Sequence, residues 1–186
     1  MPNVLLKSLV AFTAVMLSAA AYAQQPPAAT PPATPPSPTA TPSAAPPPPP
    51  PYGTPITLDQ AKKAVEAAVE ESKKNNWGMN IAVVGPSGDL VHFSRMDTAQ
   101  FASIKISQHK ARTAATFRRP TKVFQDGLAA NPANVYLLTL DDVIASEGGI
   151  PIVVDGKMVG AIGCSGGTGQ QDGQACQAGV NALKLS

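Results

Sequence analysis

The chain has 186 residues and a formal net charge of +2 at pH 7, with no basic run, which argues against nucleic acid as its main partner. Two Cys and two His are too few for a Cys/His cluster that binds several zinc ions or for a dense disulfide scaffold. Of the 20 prolines, 15 lie between residues 26 and 55, and Lys7 is the only charged residue before Thr57. This split predicts three segments, residues 1–23, 24–55 and 56–186, of which the last is long enough to form one hydrophobic core.

Residues 1–23 have the pattern of a secretory signal peptide. Lys7 provides the positive start, residues 9–21 are almost wholly apolar, and Ala-Tyr-Ala at residues 21–23 is a cleavage site of the A-x-A type. The alternative is an uncleaved membrane anchor, but the apolar run is shorter than the roughly 18–20 residues that span a bilayer. We therefore expect a periplasmic or secreted protein with no transmembrane segment in the mature chain.

Residues 24–55 consist almost entirely of Pro, Ala, Thr, Ser and Gln, and lack the apolar side chains that offset the entropy of folding. The unbroken proline run at residues 46–51 favours a polyproline II rod. The segment is interpreted as a disordered spacer. The alternative is a tether that binds a partner in the cell envelope.

The remaining residues predict the order helix, hairpin, helices, hairpin, helix. Thr57 and Gln60 have the spacing of a capping box at the start of the first helix, and Asp155-Gly156 is typical of a hairpin turn. Two hairpins make antiparallel pairs, so the fold class is α+β, with helices on the faces of the sheet. The predicted elements after the first helix are strands 81–84 and 90–94, helices 102–117 and 121–128, strands 152–154 and 157–164, and helix 171–183.

A glycine-rich stretch surrounds the second hairpin. Glycine allows a positive φ angle and close approach of a ligand, and a strand followed by a helix N-terminus suits an anion. The spacing matches neither the dinucleotide fingerprint nor the P-loop, so structural turns and an anion site both stay open. The candidate residues of this ligand edge are Gly148, Gly149, Ser165, Gly166 and Asp172.

The second helix carries candidates for a haem site. His109 and Thr113 are four residues apart and share one helix face, where an imidazole or hydroxyl can ligate haem iron. Lys110 and Arg112 are cations that can meet the haem propionates. The alternative is a surface histidine on an ordinary solvated, charged face.

Three further side chains have chemical potential. Met96 is either a soft metal ligand or a filler of the core. Cys164 and Cys176 are the two thiols of the chain, and in an oxidising compartment a disulfide between them is plausible. The alternative is two separate thiols, because the sequence does not give their distance.

Taken in order, these motifs resemble the GlcG/HbpS-like family of haem-binding proteins over residues 56–183. The segments that carry the resemblance are Leu-Asp-Gln-Ala at 58–61, Met-Asn-Ile-Ala-Val-Val at 79–84, Gly-Asp-Leu at 88–90, Arg-Met-Asp at 95–97, Lys-Ala-Arg-Thr-Ala at 110–114, Gly-Gly-Ile-Pro-Ile at 148–152, Val-Gly-Ala-Ile-Gly at 159–163, Ser-Gly at 165–166 and Gln-Asp at 171–172.

The resemblance implies a profilin-like α/β/α sandwich, assembly into homo-oligomers, and haem as cofactor or cargo. It also implies that Thr113 is close to the haem iron, whereas His109 and Cys164 depart from the usual family pattern. The function predicted is an exported haem-binding accessory protein in haem or iron sensing, protection or haem degradation, with enzymatic activity left open. The alternative is a carboxylate-binding domain or metabolic enzyme that uses the ligand edge without haem.

Overall fold

The computed structural model describes residues 47–184, and the predicted signal peptide and the spacer up to residue 46 lie outside them. Among these residues, no helix is both long enough and apolar enough to cross a membrane. The elements are α1 (Leu58–Lys74), β1 (Asn80–Val84), β2 (Leu90–Arg95), α2 (Ser103–Phe117), α3 (Thr121–Ala130), a 3₁₀ helix (Pro132–Thr139), β3 (Gly149–Val154), β4 (Lys157–Ser165) and α4 (Gly169–Lys184).

Local sequence signals set several of the helix ends. The predicted capping box is present, because the Gln60 backbone N–H donates to Thr57 Oγ1 at 3.2 Å and the Thr57 N–H donates to Gln60 Oε1 at 3.0 Å. Helix α2 ends where Arg118 adopts the left-handed conformation, with a φ angle of 54°, two residues before Pro120. Pro120 then caps α3, so a sharp turn separates the two helices.

The four strands form one antiparallel sheet in the order β2-β1-β4-β3. Both predicted hairpins are present, and they meet where β1 pairs with β4. The α+β prediction is therefore confirmed. Strand β3 is an edge strand, and Pro151 within it lacks the N–H that a further strand would need.

Alternating side chains along the strands divide the core into two layers, because successive strand residues point to opposite faces. One layer packs under α1 and α4 and contains Ile81, Val83 and Ile162. The other packs under α2 and contains Ala82 and Val84. The result is a three-layer α/β/α arrangement with α2 on the opposite side of the sheet from α1 and α4.

Helix α2 lies unusually close to strand β4. A Cβ atom at Gly163 would overlap the carbonyl oxygen of Ser107 and the backbone nitrogen of Ala111, so only glycine fits at this crossing. The contact fixes the height of α2 above the sheet. Every side chain that α2 presents, inward or outward, is positioned by it.

The described end of the proline-rich segment runs beside strand β4. The Met158 N–H donates to Pro51 O, the Gly53 N–H donates to Met158 O, and each bond is 2.8 Å long. Tyr52 forms a parallel bridge with Met158 between them. These backbone bonds extend the sheet beyond the end of β1.

Tyr52 anchors the same segment to the end of α2. Its hydroxyl donates to Thr116 O at 3.0 Å, and the Arg118 guanidinium carbon lies 4.9 Å from the centroid of its ring. Arg118 also donates to Pro50 O at 3.3 Å. These contacts hold residues 50–53, which belong to the predicted spacer, on the domain.

This anchor predicts a measurable contribution to stability. Tyr52→Phe removes one hydrogen bond and should lower the free energy of unfolding by about 1 kcal/mol. Tyr52→Ala also removes the ring under Arg118 and should cost about 1–2 kcal/mol. Urea denaturation measures both, with the exposed Thr54→Ala as a control expected within about 0.5 kcal/mol of wild type. Equal stability of wild type and Tyr52→Ala would contradict the anchor.

Candidate functional site

The outer face of α2 presents His109 and Arg112 around a single carboxylate, that of Asp142. His109 Nε2 lies 3.7 Å from Asp142 Oδ1, and Arg112 Nη1 lies 3.3 Å from the same oxygen. The His109 side chain is 38% exposed, so its imidazole is accessible to a ligand. Asp142 has a φ angle of 58°, in the left-handed region, which marks a tightly held loop position.

Thr113 explains how that loop is held. Its hydroxyl donates to Asp142 O at 2.9 Å and accepts from the Ile144 N–H at 3.0 Å, and the side chain is fully buried. The structure thus brings the two predicted ligands, His109 and Thr113, to the same loop. Thr113 faces inward with its proton and an oxygen lone pair already used, whereas His109 faces solvent.

Lys110 does not belong to this outer surface. Its side chain is only 2% exposed, and Nζ donates to Asp172 Oδ2 at 2.7 Å and to Glu147 O at 2.6 Å. Lys110 was predicted either to meet haem propionates or to belong to a solvated, charged face, and its side chain is instead buried against a carboxylate of the protein. Lys110 is next to Ala111, which packs into the core, and the carboxylate that pairs with Lys110 belongs to the protein itself.

The anion predicted at the ligand edge is also internal. The N–H groups of Gly166 and Gly167 donate to Asp172 Oδ1 at 3.1 and 2.9 Å. Burial raises the pKa of the Asp172 carboxyl, while Lys110 and the two N–H bonds oppose that shift. The turn after β4 therefore has the N–H groups expected of an anion site, and the carboxylate of Asp172 occupies it.

The other residues of the predicted ligand edge are packed against this pair. Gly148 has a φ angle of 125°, and a Cβ atom there would lie 2.9 Å from Lys110 Nζ. Ser165 is buried and its hydroxyl donates to the Ser103 hydroxyl at 3.0 Å. Outside Gly148 and Gly149 lies a cavity of about 400 Å³, to which α4 contributes glutamine side chains. Its lining includes Lys122, Glu147, Gln170, Gln174 and Gln177.

Cys164 and Cys176 form a disulfide that ties β4 to α4, with their Cα atoms 5.7 Å apart. Both residues are fully buried. The sequence allowed either a disulfide or two separate thiols, and the structure contains the disulfide.

Met96 lies away from the α2 surface. Its sulfur accepts from the Met79 N–H at 3.4 Å, and its side chain packs against the core layer under α1 and α4. The structure does not bring it together with His109 or Thr113. Within residues 47–184, no group of three or more His, Cys, Asp and Glu side chains is arranged to hold a metal ion.

Sequence reasoning missed a groove between the end of α2, helix α3 and the 3₁₀ helix, which we name the aromatic groove. The Phe117 and Phe124 rings meet edge to face in it, with centroids 5.2 Å apart and an interplanar angle of 79°. Its volume is about 450 Å³. The signal in the sequence was the apolar run at 135–138 after Pro132. Its lining includes Phe117, Arg119, Val123, Phe124, Tyr136 and Leu140.

The family follows from a match to the model of the haem degrading protein HbpS-like family, which covers residues 56–181. The chain belongs to this family. Among curated relatives, protein GlcG of Escherichia coli strain K12 is 42% identical over 114 residues, which are 60% of this chain and 84% of GlcG.

Two solved structures have the same fold. A double mutant of HbpS from Streptomyces reticuli matches with a TM-score of 0.64 at 32% identity, over 77% of this chain and 97% of HbpS. PduOC in complex with haem matches with a TM-score of 0.63 at 23% identity, over 69% of this chain and 95% of PduOC. The family assignment and the α/β/α sandwich predicted from the sequence are thereby confirmed.

The buried pair of Lys110 and Asp172 predicts a strong and pH-dependent effect on stability. Lys110→Met leaves an unpaired buried carboxylate and should lower the free energy of unfolding by about 3–5 kcal/mol at neutral pH. Burial raises the pKa of the Asp172 carboxyl in the folded state, so the stability contributed by this group is present at low pH and lost as pH rises through that pKa. Lys110 opposes the rise in pKa, so this loss of stability with rising pH is larger in Lys110→Met than in wild type. The deficit of Lys110→Met should therefore shrink on acidification.

Chemical denaturation of wild type and variant across the acid range measures this deficit. Lys105→Met, an exposed lysine on the same helix, is the matched control and should stay within about 0.5 kcal/mol of wild type. Adding Asp172→Asn to Lys110→Met should recover part of the loss, because the amide oxygen still accepts from Gly166 and Gly167. A deficit that does not change with pH would contradict the assignment.

Proposed function

We propose that this chain is an exported haem-binding accessory protein that takes haem on the α2 side of its sheet. Membership of the HbpS-like family and the likeness to HbpS at 32% identity support haem as the ligand. The observation that carries the proposal is the aromatic groove, whose walls include Phe117 at the end of α2. Its lining is mainly apolar and aromatic, and it includes the cation of Arg119.

This surface fits the chemistry of haem. A macrocycle needs an apolar wall, its propionates need cations, and its iron needs an accessible ligand. The aromatic groove offers the wall and Arg119 offers a guanidinium group, whereas His109 lies outside the lining of the groove. Thr113 does not fit iron ligation, because its hydroxyl is buried and bonded to the Asp142 loop, which it positions.

Haem, when bound, would supply redox chemistry at its iron, and the protein side chains would determine its access and orientation. Haem binding is the first step of each role that we propose as an alternative, namely haem sensing, protection against haem, and haem degradation. Assembly into homo-oligomers and an envelope partner of the proline-rich segment are further parts of the proposal.

Titration of the purified full chain with hemin, followed through the Soret band, tests the proposed function. We expect a saturable shift of the band with one haem per chain. A strictly linear increase, equal to that of hemin added to buffer, would overturn the proposal.

A second candidate function, a carboxylate-binding domain, keeps one observation in its favour. The cavity of about 400 Å³ outside Gly148 and Gly149 has Lys122 and three glutamines in its lining. If small carboxylates raise the melting temperature while hemin gives no saturable Soret shift, this second function replaces the first.

Export is supported by the signal-peptide pattern of residues 1–23 and by the disulfide, which is typical of oxidising compartments. When the full chain is expressed in a Gram-negative host, the protein should be recovered from the periplasm. Its mass should be that of a chain that starts at Gln24, and it should contain no free thiol. A variant without residues 1–23 should stay in the cytoplasm with Cys164 and Cys176 reduced. Cytoplasmic recovery of the full chain would contradict export.

A further inference from the structure

We propose that the aromatic groove is the haem site of this chain and that the phenol oxygen of Tyr136 is the iron ligand, in place of His109 or Thr113. The inference rests on the proposed function and names its site. Three properties of the groove support it, namely a phenol without a partner, apolar walls and a cation at the rim. A fourth observation is that Thr113 and His109 already contact the Asp142 loop.

Tyr136 presents an unused phenol. The residue is 56% exposed, and its hydroxyl has no hydrogen-bond partner among residues 47–184. The backbone is fixed, because the Thr139 hydroxyl donates to Tyr136 O at 2.7 Å within the 3₁₀ helix. Tyrosine is one of the side chains that hold haem iron in proteins. By contrast, the hydroxyl of Tyr52 is bonded to Thr116 O.

The walls of the groove are apolar and partly open to solvent. Phe117 and Phe124 form an edge-to-face pair, Leu137 is buried behind it, and Val123 and Leu140 are exposed at the margin. Exposed apolar surface of this kind marks a binding site. A flat aromatic ligand would remove it from water with a gain of about 25 cal/mol per Å² buried. A volume of about 450 Å³ lies within the range of small-molecule sites, about 300–1,000 Å³.

The charge of the rim selects a ligand with carboxylates. Arg119 lines the groove, and its Nε donates to Phe117 O at 3.3 Å, which holds the guanidinium in place and leaves its terminal N–H groups free to donate. A guanidinium pairs with a carboxylate in a two-point geometry. Neighbouring cations are already engaged, Arg118 by Tyr52 and Pro50, and Lys122 by Asp126. A ligand that is apolar in its body and anionic at its edge matches this pattern, and haem has that chemistry.

The sequence-predicted ligands are each tied to the Asp142 loop. The hydroxyl of Thr113 is closed off by two hydrogen bonds. The imidazole of His109 faces Asp142 Oδ1, which also pairs with Arg112. Ligation of iron by His109 would compete with its contact to Asp142, whereas ligation by Tyr136 breaks no contact with the described residues.

The ligand assignment is tested by ferric hemin titration of full-length Tyr136→Phe, with His109→Ala and His92→Ala alongside. Tyr136→Phe should lose the phenolate-to-iron charge-transfer absorption of the wild type and bind hemin at least about tenfold more weakly. Both histidine variants should keep the wild-type spectrum, with affinities within about twofold of wild type. Melting curves verify that each variant folds, which is expected for Tyr136→Phe because the lost hydroxyl has no partner.

The groove itself is tested by a charge change that leaves Tyr136 intact. Val123→Glu places an anion at the groove margin and should weaken hemin binding about tenfold or more. Leu58→Glu is the matched control, since Leu58 has the same 48% exposure as Val123 but lies on α1. Its affinity should equal that of wild type.

The outcomes separate the two proposals. If the wild type binds hemin and Tyr136→Phe keeps the wild-type spectrum and affinity, the Tyr136 assignment is overturned and the proposed function stands. If His109→Ala instead loses the spectrum, the ligand is on the outer face of α2. If Val123→Glu and Leu58→Glu bind equally well, the groove is not the site. If wild type does not bind, both proposals fail.

Discussion

The buried ion pair between Lys110 and Asp172 is the constraint on which the arrangement of the domain depends. The carboxylate of Asp172, on α4, accepts hydrogen bonds from Lys110 of α2 and from two backbone N–H groups of the turn after β4. The same lysine also binds the carbonyl of Glu147, just before β3. Helices α2 and α4, the turn after β4 and the segment before β3 therefore converge on one buried ion pair. A pair of this kind is costly to break from one side, so it enforces the relative positions of these elements.

That constraint divides α2 into two functional faces. Inward, Lys110 and the small residues around Gly163 hold the helix to the sheet. Outward, the helix is free to present His109, Arg112 and finally Phe117. The glycine-rich edge has the composition of an anion site, but its N–H groups at Gly166 and Gly167 already bind the carboxylate of Asp172. The accessible polar side chains of α2 therefore lie around the Asp142 loop, and the aromatic groove begins at the end of the same helix.

Local patterns predicted the elements well, because their causes are local. The capping box of Thr57 and Gln60, the Asp155-Gly156 turn and the stop at Pro120 depend on neighbours a few residues away. The outward or inward direction of Lys110 was not predictable in this way, since it depends on Asp172, 62 residues further along. The aromatic groove was missed for the same reason. Its walls come from three elements, and its 3₁₀ helix carries no periodic apolar signal that would have placed Tyr136.

The attachment of the proline-rich segment has a mechanical consequence. The segment is fastened by Tyr52 and Arg118 to the last turn of α2, and Phe117 in that turn forms a wall of the aromatic groove. Any tension carried along the segment thus enters the domain at the residue next to the groove. The hydrogen bonds made by Pro51, Tyr52 and Gly53 are the first contacts with α2 and β4 that such tension would load. The last turn of α2 is therefore shared between the anchor of the spacer and a wall of the groove.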